Sequence, residues 1–286
     1  MKANLNYQVH PKEGMYFSFK ILASIFLYAL LLIILILGYT SEIYAKFIDI
    51  FVVYVLIIII LLVFRMGILV GYLKGNAIKV GEKQFPDIYE IANKQSQLLG
   101  LTKTPDIYIL QAGGLLNAFA TRFLGRNYIV IYSDILEEAY ENNLQSVEFI
   151  IGHEFGHIKR KHLLKQILLF PSLIIPFLGS AYSRACEYTC DNIGAALSPK
   201  GVKSGLILLA SGKKLYHHVN IDKFVEQKDT EAGFWSWIAE KISSHPKLTK
   251  RVAVFQSTEF SPAITETRRI VKEFVTEDHN KYKPGF

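Results

Sequence analysis

The chain has 286 residues, a formal net charge of +7 and 51% apolar content, enough for one sizeable domain plus membrane segments but not for two large domains. A pI near 9.1 would admit nucleic acid, but no basic stripe with interleaved aromatics accompanies it, so no nucleic-acid partner is expected and a solvated surface or anionic headgroups fit better. Two cysteines, Cys186 and Cys190, lie four apart in a helical stretch; they exclude a secreted disulfide framework and fit a reducing compartment.

Met1 to Lys20 forms a polar lead with Lys2, Lys12 and Lys20. Ile21 to Ser41 is an unbroken uncharged run, long enough to cross about 30 Å of hydrocarbon as a helix. Its length and the lack of a small-residue cleavage signature argue against a removable signal peptide. A second run, Ile50 to Phe64, is shorter, and extending it past Arg65 to Leu73 completes a span, with Arg65 snorkelling or facing protein. A buried core hairpin is the alternative for both, against which their apolar continuity argues. The lead's lysines, with Arg65, Lys74, Lys79 and Lys83 after the second span, outweigh the turn's Lys46, which Glu42 and Asp49 offset. The positive-inside rule then expects a multi-pass cell-membrane protein with both ends, and the following domain, in the cytoplasm.

From Gln84 the chain turns soluble. Phe85 to Leu99 has helical periodicity and stops at Gly100. Asp106 to Leu110 reads as a strand. Leu115 to Arg122 and Asn127 to Tyr132 read as two more, joined in a hairpin at Leu124-Gly125-Arg126. Ser133-Asp134 is placed to cap the next helix, and Asn143 to Lys165 reads as one long helix.

That long helix carries His153-Glu154-Phe155-Gly156-His157, an H-E-x-x-H pattern. Residues four apart share a helix face, so His153 and His157 can place two imidazole nitrogens on one metal ion. Glu154 can then take a proton from water at that ion. Chance also produces the pattern, so a third ligand matters. Glu187 and Asp191 stand in an E-x-x-x-D arrangement on a later helix. Glu187 would complete a His₂Glu set with one position open, and Asp191 could accept from the other ring nitrogen of a metal histidine, His153 first. The same pair also reads as an ordinary charged helix face. Cys186 and Cys190 are alternative ligands, but a thiolate pair would suggest a closed structural site and leave Glu154 idle.

The apolar segment Ile167 to Tyr182, with Pro171 and Pro176, constrains the topology. One crossing would put His157 and Glu187 on opposite faces of the membrane. Two crossings need about 40 residues, and only about 30 separate those ligands. With Glu187 as a ligand, the segment must be a buried or interfacial hairpin that dips into the membrane at most.

Four pieces together resemble a known family: Asn117-Ala118-Phe119-Ala120; His153 to His157; Ser183-Arg184 with Glu187 to Asp191; and Ser243-Ser244-His245-Pro246 followed by Arg251. In order and spacing they resemble the membrane-associated gluzincin zinc metallopeptidases, the group that includes HtpX and the CaaX prenyl proteases, from about Phe85 to Phe255. The resemblance implies that Asn117, Ala118 and Phe119 form an active-site edge strand on which an extended substrate pairs. It implies that His245 stabilises an oxyanion and that Arg251 supports the ligand shell or the substrate. Read without the family, the first piece is a plain core strand, and Ser-His-Pro is a helix N-terminus with a serine cap. The sequence departs from the family in its short apolar segment after His157 and in Cys190, where alanine is usual.

The expected fold is therefore α+β and mostly α: a transmembrane helical hairpin (21–73) after a cytoplasmic lead (1–20), then a zincin-like metallopeptidase domain with a small antiparallel sheet (84–261), then a charged tail (262–286). The expected function is zinc-dependent endopeptidase, with one Zn²⁺ per chain. Its expected partners are the lipid bilayer and polypeptide substrates, membrane proteins under quality control among them. A catalytically idle scaffold and a zinc amidase or esterase on small molecules are the rival readings. His217-His218 reads as surface, and Phe234 to Ile238 as an interfacial patch, a lid or core.

Overall fold

A computed structural model describes residues 5–114, 117–142 and 144–256. Two long helices open the fold, α1 (Pro11–Gly38) and α2 (Glu42–Asn76). A short strand β1 (Ile78–Lys79), helix α3 (Pro86–Leu98) and strands β2 (Asp106–Leu110), β3 (Ala118–Phe123) and β4 (Arg126–Tyr132) follow. The remainder is helical: α4 (Ser133–Glu141), α5 (Leu144–Lys159), α6 (His162–Leu168), α7 (Leu178–Leu197), α8 (Val202–Ser211), α9 (Ile221–Thr230), α10 (Phe234–Ile242) and α11 (Leu248–Gln256). Leu115, Asn143 and the charged tail, to which the sequence reading assigns a strand residue, a helix start and a terminal segment, lie outside the described residues.

Both opening helices are long and apolar enough to cross a membrane, and their apolar side chains from Leu22 to Phe64 point outward. Neither is a free-standing anchor. The polar lead is helical from Pro11, and this first part of α1 lies on the helical domain, burying Glu13, Lys20 and Ser24. At the other end, Val70 and Leu73 of α2 pack on Tyr108, Tyr128 and Val130 of the sheet. The proposed boundaries at 20 and 73 therefore cross packed structure rather than linkers.

The sheet has the order β1-β2-β4-β3. It is mixed, not wholly antiparallel as expected. β3 and β4 form the expected hairpin around Leu124 and Gly125, both at positive φ, which suits a two-residue primed turn. The chain passes over the β4 position before reaching β3, so the hairpin returns β4 alongside β2 and parallel to it. Side chains alternate at period two: Ile107, Ile109, Ile129 and Ile131 enter the main core with α3, α4, α5, α7 and α8, while Tyr108, Tyr128 and Val130 face α2. β3 is left as the outer strand.

Ser133 does not cap α4; it is the first helical residue after an extended Tyr132, and no side-chain cap bond is made there. The long helix expected from 143 to 165 is two helices. It stops at Lys159, Lys161 takes a left-handed φ of 55°, and α6 leaves in a new direction. After α6 a 3₁₀ turn (Phe170–Ile174) containing Pro171, and a left-handed Phe177, send the chain back as α7. The carbonyls of Leu168 and Leu169 accept from Tyr28 and Ser24 of α1, and Ile167, Phe170, Leu173, Ile174 and Phe177 point outward there. His217 and His218 are exposed, and Phe234, Trp235 and Trp237 on α10 lie on the surface, not in the core.

Candidate active site

Helices α5 and α7 approach closely because glycines line their contact. A side chain at Gly152 or Gly156 would sit 3.0–3.2 Å from atoms of α7, and one at Gly194 would sit 2.9 Å from the Phe149 ring and carbonyl. This approach sets Glu187 of α7 against both histidines of α5. His153 Nε2 and His157 Nε2 are 3.3 Å apart. Glu187 Oε2 lies 3.4 Å from His153 Nε2, and Oε1 lies 3.3 Å from His157 Nε2. Three tetrahedral ligands at about 2.0–2.1 Å from zinc stand about 3.3–3.4 Å from one another. The donor set thus has the size and chemistry of a His₂Glu zinc site.

Asp191, one turn beyond Glu187, places Oδ1 2.9 Å from His153 Nδ1. Arg251 of α11 grips that carboxylate with both arms, Nε to Oδ2 at 2.8 Å and Nη2 to Oδ1 at 2.6 Å. Its Nη1 stands 3.6 Å from Glu187 Oε2. Burial opposes charge on His153, yet hydrogen bonds to Asp191 and Glu187 outweigh it and raise its pKa. Burial likewise opposes the Glu187 carboxylate, and the two facing histidines hold its pKa well below the usual range. Both shifts have one origin: these carboxylates and these imidazoles face each other at hydrogen-bond distance in a buried site.

Glu154 lines the same cleft, of about 290 Å³, with His153, His157 and Glu187. Residues Ala118 to Arg122 of β3 form one wall and Leu163 and Leu164 of α6 the other. Asn117 stands just before the strand at the metal end, where its carbonyl accepts from Tyr132 N at 3.0 Å. Ala118 and Phe119 follow on β3, the outer strand of the sheet among the described residues. His245 stands at the cleft mouth, its Nε2 3.6 Å from Glu187 Oε1 and its side chain 65% exposed. Ser243 and Ser244 hold His245 rather than cap a helix, since α11 begins only at Leu248.

The buried thiols offer other donor sets: Cys190 with His157 and His162, and Cys186 with Glu13 and His162. Burial pushes the Cys186 pKa up to about 12 and that of Cys190 well above its ordinary value. Thiolate ligation would therefore work against its surroundings, whereas the carboxylate set opens on the cleft.

Sequence reasoning misses several residues. Arg184 Nη1 lies 2.7–2.9 Å from the carbonyls of Glu240, Lys241 and Ser243, clamping the segment that carries His245; it belongs to the motif, but no task for it is legible there. His162, Glu13 and Arg160 form a buried cluster behind His157. Only an acid in the polar lead hints at it.

With this geometry in place, comparison with known proteins is decisive. The family described as Peptidase family M48 matches residues 82–175 and 169–259. The chain belongs to peptidase family M48. That family is metal-dependent, and the chain is a metallopeptidase by class. The CAAX prenyl protease 1 homolog of Dictyostelium discoideum is 37% identical over 65 residues, which cover 23% of this chain and 15% of that protein. The match thus spans a small part of the relative's length. The crystal structure of S. mikatae Ste24p aligns at 14% identity with a TM-score of 0.46, covering 88% of this chain and 68% of that one. Within the M48 region, the match covers all three proposed ligands, as well as Glu154 and His245.

Proposed function

We propose that the chain is a membrane-anchored zinc endopeptidase. His153, His157 and Glu187 would be the ligands, and zinc bound there would supply a Lewis acid that polarises a peptide carbonyl and activates water near neutral pH. Glu154 takes the proton of the attacking water and delivers it to the leaving amine. His245 donates to the oxyanion that develops on the carbonyl oxygen. Asp191, fixed by Arg251, holds the His153 ring with Nε2 toward the metal. The substrate lies extended along β3 from Asn117, adding a strand to the free edge. The observation that carries this reading is the triangle of donors with 3.3–3.4 Å sides, opening on a cleft that Glu154 shares.

The far end of β3 supports a membrane-proximal substrate. Phe123 packs at Gly67 of α2, so an edge-paired chain would run between the membrane helix and the metal. We place the catalytic domain in the cytoplasm on the flanking cations, with membrane proteins under quality control as the substrate class. The deciding experiment is Glu154→Gln in the full chain in detergent. Casein cleavage should fall about 10²–10⁴-fold while zinc content stays at one per chain. Unchanged cleavage would remove Glu154 from the mechanism, and an unchanged cellular phenotype would favour a scaffold.

A further inference from the structure

We infer that Glu13, near the start of the first membrane-anchoring helix, is a positioning residue for the metal ligand His157, acting through His162. The inference rests on the metal-site reading above and extends it to a residue outside the matched family region. His157 turns Nε2 toward His153 and Glu187, and its Nδ1 lies 3.2 Å from His162 Nδ1. His162 Nε2 in turn lies 3.3 Å from Glu13 Oε1. That oxygen also accepts from Arg160, from Nε at 3.1 Å and Nη2 at 2.8 Å.

Proton placement along this chain follows from valence alone. A metal on His157 Nε2 requires that nitrogen bare, so neutral His157 carries its proton on Nδ1 and must donate. His162 Nδ1 is the acceptor it faces. His162 then carries its own proton on Nε2, aimed at a carboxylate, which only accepts. Each group in the series then has a compatible role, with Cys190 Sγ, 3.7 Å from His162 Nδ1, as a second neighbour at that nitrogen.

The result mirrors the other ligand. His153 is held by Asp191, which Arg251 grips; His157 is held by His162, then Glu13, which Arg160 grips. The break after Lys159 and the left-handed Lys161 return His162 beneath His157. The start of α1 is fixed independently: His10 N donates to Thr189 Oγ1 at 3.0 Å, and Asn192 Nδ2 donates to the Gln8 carbonyl at 2.9 Å. A carboxylate 1% exposed on a helix otherwise built for anchoring is costly unless it is paired. Here its partners lead directly to the metal, so the anchor is part of the metal centre.

The test is zinc affinity of the full-length protein in detergent micelles, by competition with a chromogenic chelator, for E13L, H162L, E13Q, H162N and E13L/H162L. Loss of such an outer partner weakens metal binding about 10–100-fold, which is the loss expected for E13L and H162L. H162N keeps an acceptor for His157 and should lose less than H162L. Because the two act in series, the double variant should bind zinc no more weakly than H162L alone. Should the leucine variants fail to fold, E13Q and H162N, close in size and polarity, are read against the parent, with about tenfold expected. Affinities within twofold of the parent, or losses that multiply in the double variant, would overturn the inference. A stoichiometry of two zinc ions falling to one in E13Q would also overturn it, making the cluster a site in its own right. Affinity is read without turnover, so a failed peptidase assignment would show separately as no casein cleavage by the parent protein.

Discussion

Replacing Gly194 by alanine tests whether the glycine-lined approach of α5 and α7 sets the metal triangle. The new Cβ would lie 2.9 Å from Phe149 Cδ2, Cε2 and the Phe149 carbonyl oxygen. The ring can swing, but the carbonyl belongs to α5, so relief requires the helices to part by about half an ångström to restore ordinary contact. Overpacking of this kind costs about 1–3 kcal/mol. Gly→Ala in a helix returns about 1 kcal/mol through propensity. The net is a destabilisation of about 0–2 kcal/mol, small enough for the variant to fold.

The larger effect should fall on the metal. Asp191 and Glu187 lie on the same face of α7 as Gly194, so parting the helices withdraws both from His153 and His157. With donor separations of 3.3–3.4 Å, half an ångström is a large error for a tetrahedral site. Zinc affinity should fall at least about tenfold, and peptide turnover by up to about 10²-fold. Chelator competition, denaturant unfolding and casein cleavage in detergent read the three quantities. Gly75 of α2, where an added methyl would meet no atom within 4 Å, is the control, and alanine there should not weaken zinc. A Gly194→Ala protein that is stabilised and binds zinc as the parent does would refute the argument.

Arg184→Met should release the segment holding His245, lowering kcat for casein by about 10-fold or more while zinc content is unchanged. Zinc affinity should rise with pH. The carboxylates of Asp191 and Glu187 raise the His153 pKa against the effect of burial, so a proton must leave before the metal binds, and affinity should climb about tenfold per unit across pH 6–8. A flat profile by competition titration would show that His153 carries no proton that the metal displaces. Cys186 and Cys190 should resist iodoacetamide at pH 8 in the folded protein and react on unfolding, because burial raises both thiol pKa values, that of Cys186 to about 12. Rapid alkylation of the native protein, read by mass spectrometry, would contradict their burial.

How much of this was legible in the sequence depends on the range of the interaction. The spacing of His153 and His157, the bounds of β2 and the stop of α3 at Gly100 (φ 61°) follow from local periodicity and backbone preference. Glu187 is singled out by its E-x-x-x-D spacing with Asp191, and the structure sets its carboxylate against both histidines. The parallel β2–β4 pairing was not legible, since a hairpin read locally does not say which of its strands lands beside an earlier one.

The break after Lys159 is the instructive failure. Nothing at Arg160 or Lys161 is a helix breaker by type, and a non-glycine residue at φ 55° is locally unfavourable. The compensation is tertiary: the turn brings His162 between His157 and Glu13, and sets Arg160 on the same carboxylate. Neither gain is visible in a window around residue 160, because the partner lies 147 residues earlier in what composition alone presents as a polar lead to a span. The same distance explains why domain boundaries read from hydropathy separate what packing joins. Hydropathy reports which residues prefer lipid, whereas Glu13 is buried for what it touches. A locally strained turn and a buried acid on an apolar helix are each anomalous alone, and each accounts for the other once His157 is treated as a ligand that needs its ring held in place.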